Sequence, residues 1–281
     1  MRNYFYGWYF KCQSETQTFA VIPAVHTTNK KRSCSIQIIM DENAWTFPLT
    51  EELFCHKGKN IRIGRNCFGE SGIQLEIAMP EISICGKLDF GLLFPLKYDI
   101  MGPFVLMPWM ECRHGVWSMR HIVQGSVDIN GREYLFRNAL GYWEGDRGYS
   151  FPREYLWTQC FFSEGSLMLS AAEIPLGRVR FIGIIGFVLW RGKEYRIATY
   201  LGARVTLLKD KMVCIRQGKM ELTAQLLESS GHSLKAPVKG NMVRTIHESV
   251  SCRAYYCFRK NECIFFEFET DRASFEYEFS L

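Results

Sequence analysis

The chain has 281 residues, enough for two units that each bury a core of their own. Its net charge of +5 comes from interspersed acids and bases, which excludes a nucleic-acid-binding stripe and leaves room only for a weak attraction to an anionic membrane surface. Aromatic residues reach 15%, which fits either a wide apolar cavity or simply a β-rich protein, because strands select Phe, Tyr and Trp on their own account.

Taken in chain order, the basic run Lys30-Lys31-Arg32 reads as a solvated turn and Trp45 as part of a surface loop. Thr50 to Phe54 can make one helical turn. Ile73, Leu75, Ile77 and Met79 alternate with Gln74, Glu76 and Ala78, the period of a strand with one wet face. From Gly86 to Trp109 the sequence is rich in Pro, Gly and apolar residues without a clean period, which predicts a long lid-like connection over a barrel mouth. Asn130-Gly131, Glu164-Gly165, Arg191-Gly192 and Gln217-Gly218 then mark turns between short strands. Phe181 to Trp190 is the longest clean apolar run and is about half of what spans a bilayer. Gly231 to Gly240 reads as a loop, Arg244 to Val250 as a short helix, and Phe275, Tyr277 and Phe279 as a strand alternating with the wet residues Glu276 and Glu278. Many short strands and few helical signals predict an all-β protein of two tandem antiparallel barrels or sandwiches, residues 1–140 and 141–281, with the junction near residues 138–150.

Eleven cysteines at irregular spacing, with no Cys-x-x-Cys pair, do not make a disulfide framework or a zinc site. Cys85, Cys160 and Cys214 lie in apolar strand segments and are expected to behave as small hydrophobes. No Walker loop, Rossmann glycine fingerprint, His-Glu-x-x-His or Gly-x-Ser-x-Gly elbow occurs, so nucleotide hydrolysis, hydride transfer and zinc proteolysis lose their support. No cofactor and no metal are expected. The amino terminus shows no signal-peptide pattern, so a soluble, reduced, cytoplasmic chain is expected.

The run Gly141-Tyr-Trp-Glu-Gly-Asp-Arg-Gly-Tyr-Ser-Phe-Pro152, closely followed by Trp157 and Gln159, sets two carboxylates among aromatics and reads as a hinge or pocket wall. In an extended segment Glu144 and Asp146 share one face, and two close carboxylates cannot both ionise cheaply. Two readings stand: a carboxyl kept protonated as a proton donor, or carboxylates held by turn N–H groups or paired with Arg147 and Arg153. Glu111 and His114, three apart, would point to opposite faces of a strand, and an interior, satisfied His114 is the favoured reading for that residue.

With Gly7-Trp-Tyr-Phe-Lys11, Met110-Glu-Cys-Arg-His-Gly-Val116, Phe19-Ala-Val-Ile-Pro23, Ser35-Ile-Gln-Ile38, Ala198-Thr-Tyr200, Leu234-Lys-Ala-Pro237 and Arg244-Thr-Ile-His-Glu248, the central motif resembles the tocopherol cyclase family. Two positions depart from that pattern: Tyr6 replaces Glu before Gly-Trp-Tyr, and Arg147 replaces Trp after the central Asp. The resemblance implies two joined lipocalin-like barrels with an apolar cavity, and cofactor-free, acid-promoted cyclisation or isomerisation of an alkene, as in closing a prenylquinol to a chroman. The partner it implies is a prenylated or otherwise lipidic small molecule. It casts Glu144 and Asp146 as catalytic, and Trp8, Tyr9, Trp109, Glu111, His114, Trp117, Tyr142, Trp157 and Gln159 as substrate-binding. The alternative is a non-catalytic lipid carrier or sensor, for which Arg147 would neutralise the carboxylates.

Overall fold

A computed structural model describes residues 3–29, 31–176, 179–228, 231–238 and 241–280. Among them there is no α-helix, hence no helix long and apolar enough to cross a membrane, and nearly every element is a strand. The protein has the predicted all-β fold of two lipocalin-like barrels, one built on each of two antiparallel sheets.

The first sheet has eleven strands: β1 (Tyr4–Gln13), β2 (Thr18–Thr28), β3 (Lys31–Met40), β4 (Ala44–Thr50), β5 (Phe54–Lys57), β6 (Asn60–Ile63), β7 (Asn66–Gly69), β8 (Gly72–Met79), β9 (Ile82–Phe90), β10 (Cys112–Ile129) and β11 (Arg132–Gly148). Their spatial order is β4-β3-β2-β1-β11-β10-β9-β8-β7-β6-β5. The second sheet holds β12 (Tyr155–Phe162), β13 (Gly165–Leu176), β14 (Val179–Trp190), β15 (Lys193–Ala198), β16 (Arg204–Lys209), β17 (Met212–Gln217), β18 (Met220–Glu228), β19 (His232–Val238), β20 (Asn241–Lys260) and β21 (Cys263–Tyr277). Its order is β15-β14-β13-β12-β21-β20-β18-β17-β16, with β19 beside β20. The contacts divide the chain into one compact unit of residues 1–97, 114–150 and 237–242 and another of residues 98–113, 151–236 and 243–281.

Alternation places the cores. Trp8, Phe10, Val21, Ile36, Ile73, Leu75, Val123 and Trp143 fill the first barrel, and Leu156, Cys160, Leu169, Val188, Ile215, Tyr256 and Phe275 fill the second. The Asn130-Gly131 hairpin has positive φ at both central residues, 54° and 82°, the conformation these two residue types tolerate. Thr50 to Phe54 contains the predicted single turn, a 3-10 turn at Glu51–Leu53.

Several local expectations are corrected. Arg244 to Val250 is strand, because the β-branched Thr245, Ile246 and Val250 suit a pleat and the segment belongs to β20, which pairs with β21 from Ser249 onward and also with β19. Within Gly231 to Gly240, residues 232–238 form β19, where Pro237 is tolerated beside a single neighbour; residues 239 and 240 lie outside the described residues. Trp45 sits in β4 and packs half-buried on the first core. Lys31 and Arg32 open β3 as exposed residues, and Lys30 lies outside the described residues. Met79 and Cys85 are exposed and Cys214 is half-buried, whereas Cys160 is buried as expected. Glu276 is buried instead of wet.

The segment predicted as a lid begins as strand through Phe90 and then runs free of strands, with a 3-10 turn at Gly102–Leu106. Its middle is pinned. The buried Arg196 donates to the carbonyls of Tyr98 (2.9 Å) and Asp99 (3.2 Å), lies over the Tyr98 ring, and is balanced by Glu194 at 2.7 Å. Tyr200 donates to the Ile100 carbonyl at 3.0 Å.

Candidate functional site

The Gly-Tyr-Trp-Glu-Gly-Asp run is neither hinge nor turn; it is the end of β11, laid antiparallel on β1 so that Tyr9 faces Glu144 and Gly7 faces Asp146. Glycine at 145 is required by close approach: a Cβ there would stand 2.5 Å from the Gly7 carbonyl oxygen and 3.0 Å from the Trp117 ring. Trp143 belongs to the barrel core, so Tyr142, Glu144 and Asp146 project from the opposite face of the sheet. On β10, Trp117 packs against the core, and His114 points the other way, to the carboxylates.

The result is a clamped imidazole. His114 Nδ1 donates to Asp146 Oδ1 at 3.0 Å, and Nε2 lies 3.0 Å from Glu144 Oε2. The second contact is a charge contact off the line of the N–H, so Nε2 has no aligned hydrogen-bond partner among the described residues. Tyr142 donates its phenolic proton to Glu144 Oε2 at 2.5 Å. The His114 and Glu144 side chains are almost fully buried, and Asp146 is 26% exposed.

Burial works against a charged His114. The charges of Glu144 and then Asp146, with the Nδ1–H hydrogen bond to Asp146, outweigh it and hold the His114 pKa well above the ordinary value. The ring is therefore an imidazolium at neutral pH. Burial, followed by the Glu144 charge, pushes the Tyr142 phenol well up, so it stays a donor. The cluster holds a proton poised between two carboxylates, with one N–H free of an aligned acceptor. The same three residues place donor atoms within 4.8 Å of one another and are the described group best able to take a divalent cation, which would have to displace the ring proton.

The other candidate residues divide between this face and positions away from it. Trp8 is buried in the first core and stacks on Tyr6 at 3.9 Å, and Trp117 stacks on Trp143 at 5.3 Å. Tyr9 and Tyr142 share the carboxylate face. Trp109, 49% exposed, and Glu111, just before β10, belong to the other compact unit, as do the buried Trp157 and Gln159 of β12. Arg147 does not neutralise the carboxylates; it is exposed and is the cross-strand partner of Tyr6. His114 supplies the cation, a role the sequence reading missed because no spacing rule links residue 114 to residues 144 and 146 before the strand pairing is known.

No family model matches the sequence, and no curated protein matches it. Solved structures do match, across nearly the whole chain. A protein of Nitrosomonas europaea described as an AttH candidate superposes with TM-score 0.59 at 8% identity, covering 100% of this chain and 93% of its own. Kievitone hydratase from Nectria haematococca gives 0.58 at 7%, covering 97% and 88%. CghA, solved with Sch210972, gives 0.64 at 9%, covering 99% and 89%. At such identities the likeness establishes one thing: this chain shares their two-barrel fold.

Proposed function

We propose that this protein binds a hydrophobic small molecule and performs proton-transfer chemistry on it, a cofactor-free cyclisation or isomerisation of an alkene. The observation that carries the reading is the His114 imidazolium held by Asp146 at one nitrogen while the other N–H lacks an aligned acceptor. The hydratase among the fold relatives, and the relative solved with a small molecule, support chemistry of this class on this architecture.

In the cyclase reaction suggested by the family resemblance, His114 Nε2–H protonates the alkene of a prenylated hydroquinone. The resulting tertiary cation is captured by the phenolic oxygen, and the phenolic proton returns to Nε2. Asp146 fixes the ring's orientation, and Glu144, oriented by Tyr142, stabilises its charge. The raised pKa also sets a limit. It keeps the donor loaded but makes it a weak acid, so an alkene polarised by conjugation to a carbonyl suits it better than an isolated one. The same tight hold on the proton favours the second reading, a carrier in which the cluster only orients a polar ligand group.

Incubation in D2O with a prenylhydroquinone and with a matched enone separates these readings. Catalysis places deuterium on product carbon, and His114→Asn lowers the rate by roughly a hundredfold or more while ligand binding survives. Binding of both compounds without conversion of either would refute the enzyme reading in favour of the carrier.

A further inference from the structure

The two sheets repeat one layout. The order β4-β3-β2-β1-β11-β10 of the first corresponds to β15-β14-β13-β12-β21-β20 of the second. Glu144 of β11 faces Tyr9 of β1, and in the corresponding place Glu276 of β21 faces Trp157 of β12. Two residues further on stand Asp146 and Glu278. Both glutamates accept a hydrogen bond from a buried tyrosine, Tyr142 in one case and Tyr155 in the other. Each cluster also holds a cation from the neighbouring long strand: His114 of β10, and Arg244 of β20, which is 2.9 Å from Glu278 and also bonds the Pro152 carbonyl.

The second cluster cannot do the same chemistry, because a guanidinium keeps its proton at any physiological pH. Beside it, however, is an unmet demand. Gln159 lies on the same face of β12, opposite Ser274 and so diagonal to Glu276, a separation of roughly 7–8 Å. Its side chain is completely buried, and neither its oxygen nor its nitrogen has a partner among the described residues. Burying an amide unpaired costs about 1–3 kcal/mol, so such a group points to a ligand. Trp157, Phe161 and Met168 stand around it on that face as an apolar wall.

We propose that this face of the second sheet, centred on Gln159 with Tyr155 and Glu276, is a recognition site for a neutral polar head that carries a donor and an acceptor side by side on a hydrophobic body, as a carboxamide does. The carboxamide of Gln159 pairs with both atoms of such a head. The Glu276 carboxylate diagonal to Gln159 disfavours an anionic head. The site does not rest on the proton-transfer reading.

Decanamide and N,N-dimethyldecanamide share the chain and the acceptor, and the second lacks the donor. Titrated calorimetrically into the full-length wild-type protein, decanamide binds about tenfold tighter or better, the worth of one hydrogen bond made to a buried group. In Gln159→Leu, and in the unbranched Gln159→Met as a check on packing, the preference falls to near unity. In His114→Asn it persists, which separates failure of the catalytic reading from failure of this one. Equal wild-type affinities, a preference that survives both Gln159 substitutions, or no binding of decanamide would overturn the site.

Discussion

Two buried histidines make the stability of the first barrel depend on pH in a way that can be calculated. His121 is 3% exposed, its Nδ1 bonded to Ser118 Oγ at 2.9 Å and its ring against Phe90, and burial lowers its pKa from 6.5 to about 3. His26, bonded to Ser35 Oγ at 3.2 Å, is lowered by burial to about 4. Both are neutral when folded and take up a proton when unfolded below pH 6.5. A depressed histidine therefore contributes stability above its unfolded pKa and withdraws it as pH falls toward the folded value. The slope rises from half of about 1.4 kcal/mol per pH unit at pH 6.5 to nearly all of it by pH 5.5 for each, so from pH 6.5 to 5 the pair costs about 3 kcal/mol. His114 does not obscure this limb, since its raised pKa gives a contribution that is complete below its unfolded pKa and is lost only at higher pH, as the folded value is passed. Urea unfolding across that range checks the sum: His121→Asn, which keeps a polar atom near the Ser118 contact, should halve the acid loss, and the double variant with His26→Asn should abolish it. If the single variant loses stability at the wild-type slope, the buried-neutral account of His121 is wrong.

Other outcomes follow from the same geometry. NMR titration should find the His114 ring protonated throughout pH 6 to 8; a midpoint near that of a free histidine would contradict the clamp. Gly145→Ala forces a methyl against the Gly7 carbonyl and should cost roughly 1–3 kcal/mol in urea, without any change in a distant control such as Gly58→Ala beyond its backbone effect. An aromatic disulfide reagent should label the exposed Cys55, Cys67, Cys85 and Cys263 in the native protein. Cys12, Cys34, Cys160, Cys252 and Cys257, all buried, should react only after unfolding.

The alternation at Ile73 to Ile77 and the Asn130-Gly131 turn were legible because strand period and hairpin chemistry are local properties of the chain. Arg244 to Val250 was not: its pairing with β21 overrides a weak helical pattern, and pairing is a property of distant residues. Glu144 and Asp146 could be singled out from their spacing, but the cation between them comes from thirty residues earlier and exists as a partner only once β10 lies beside β11. The resemblance named Gln159 among the substrate-binding candidates, on no local signal of its own. Its interest arises from burial without a partner, which no periodicity reports. Tyr6 and Arg147 look independent in sequence and are direct cross-strand neighbours. They form one contact near the end of the β1–β11 pair, outside the imidazole clamp.

The tether at Arg196 grips main-chain oxygens of Tyr98 and Asp99, atoms that every amino acid supplies. Apart from the Tyr98 ring beneath Arg196, substitutions along this segment leave these main-chain contacts in place, so its exposed side chains are free to drift toward whatever they meet. The opposite holds at the anchor. Arg196 carries both of these main-chain contacts, so Arg196→Ala would remove them at one stroke and leave the segment held through the Tyr200 bond to the Ile100 carbonyl.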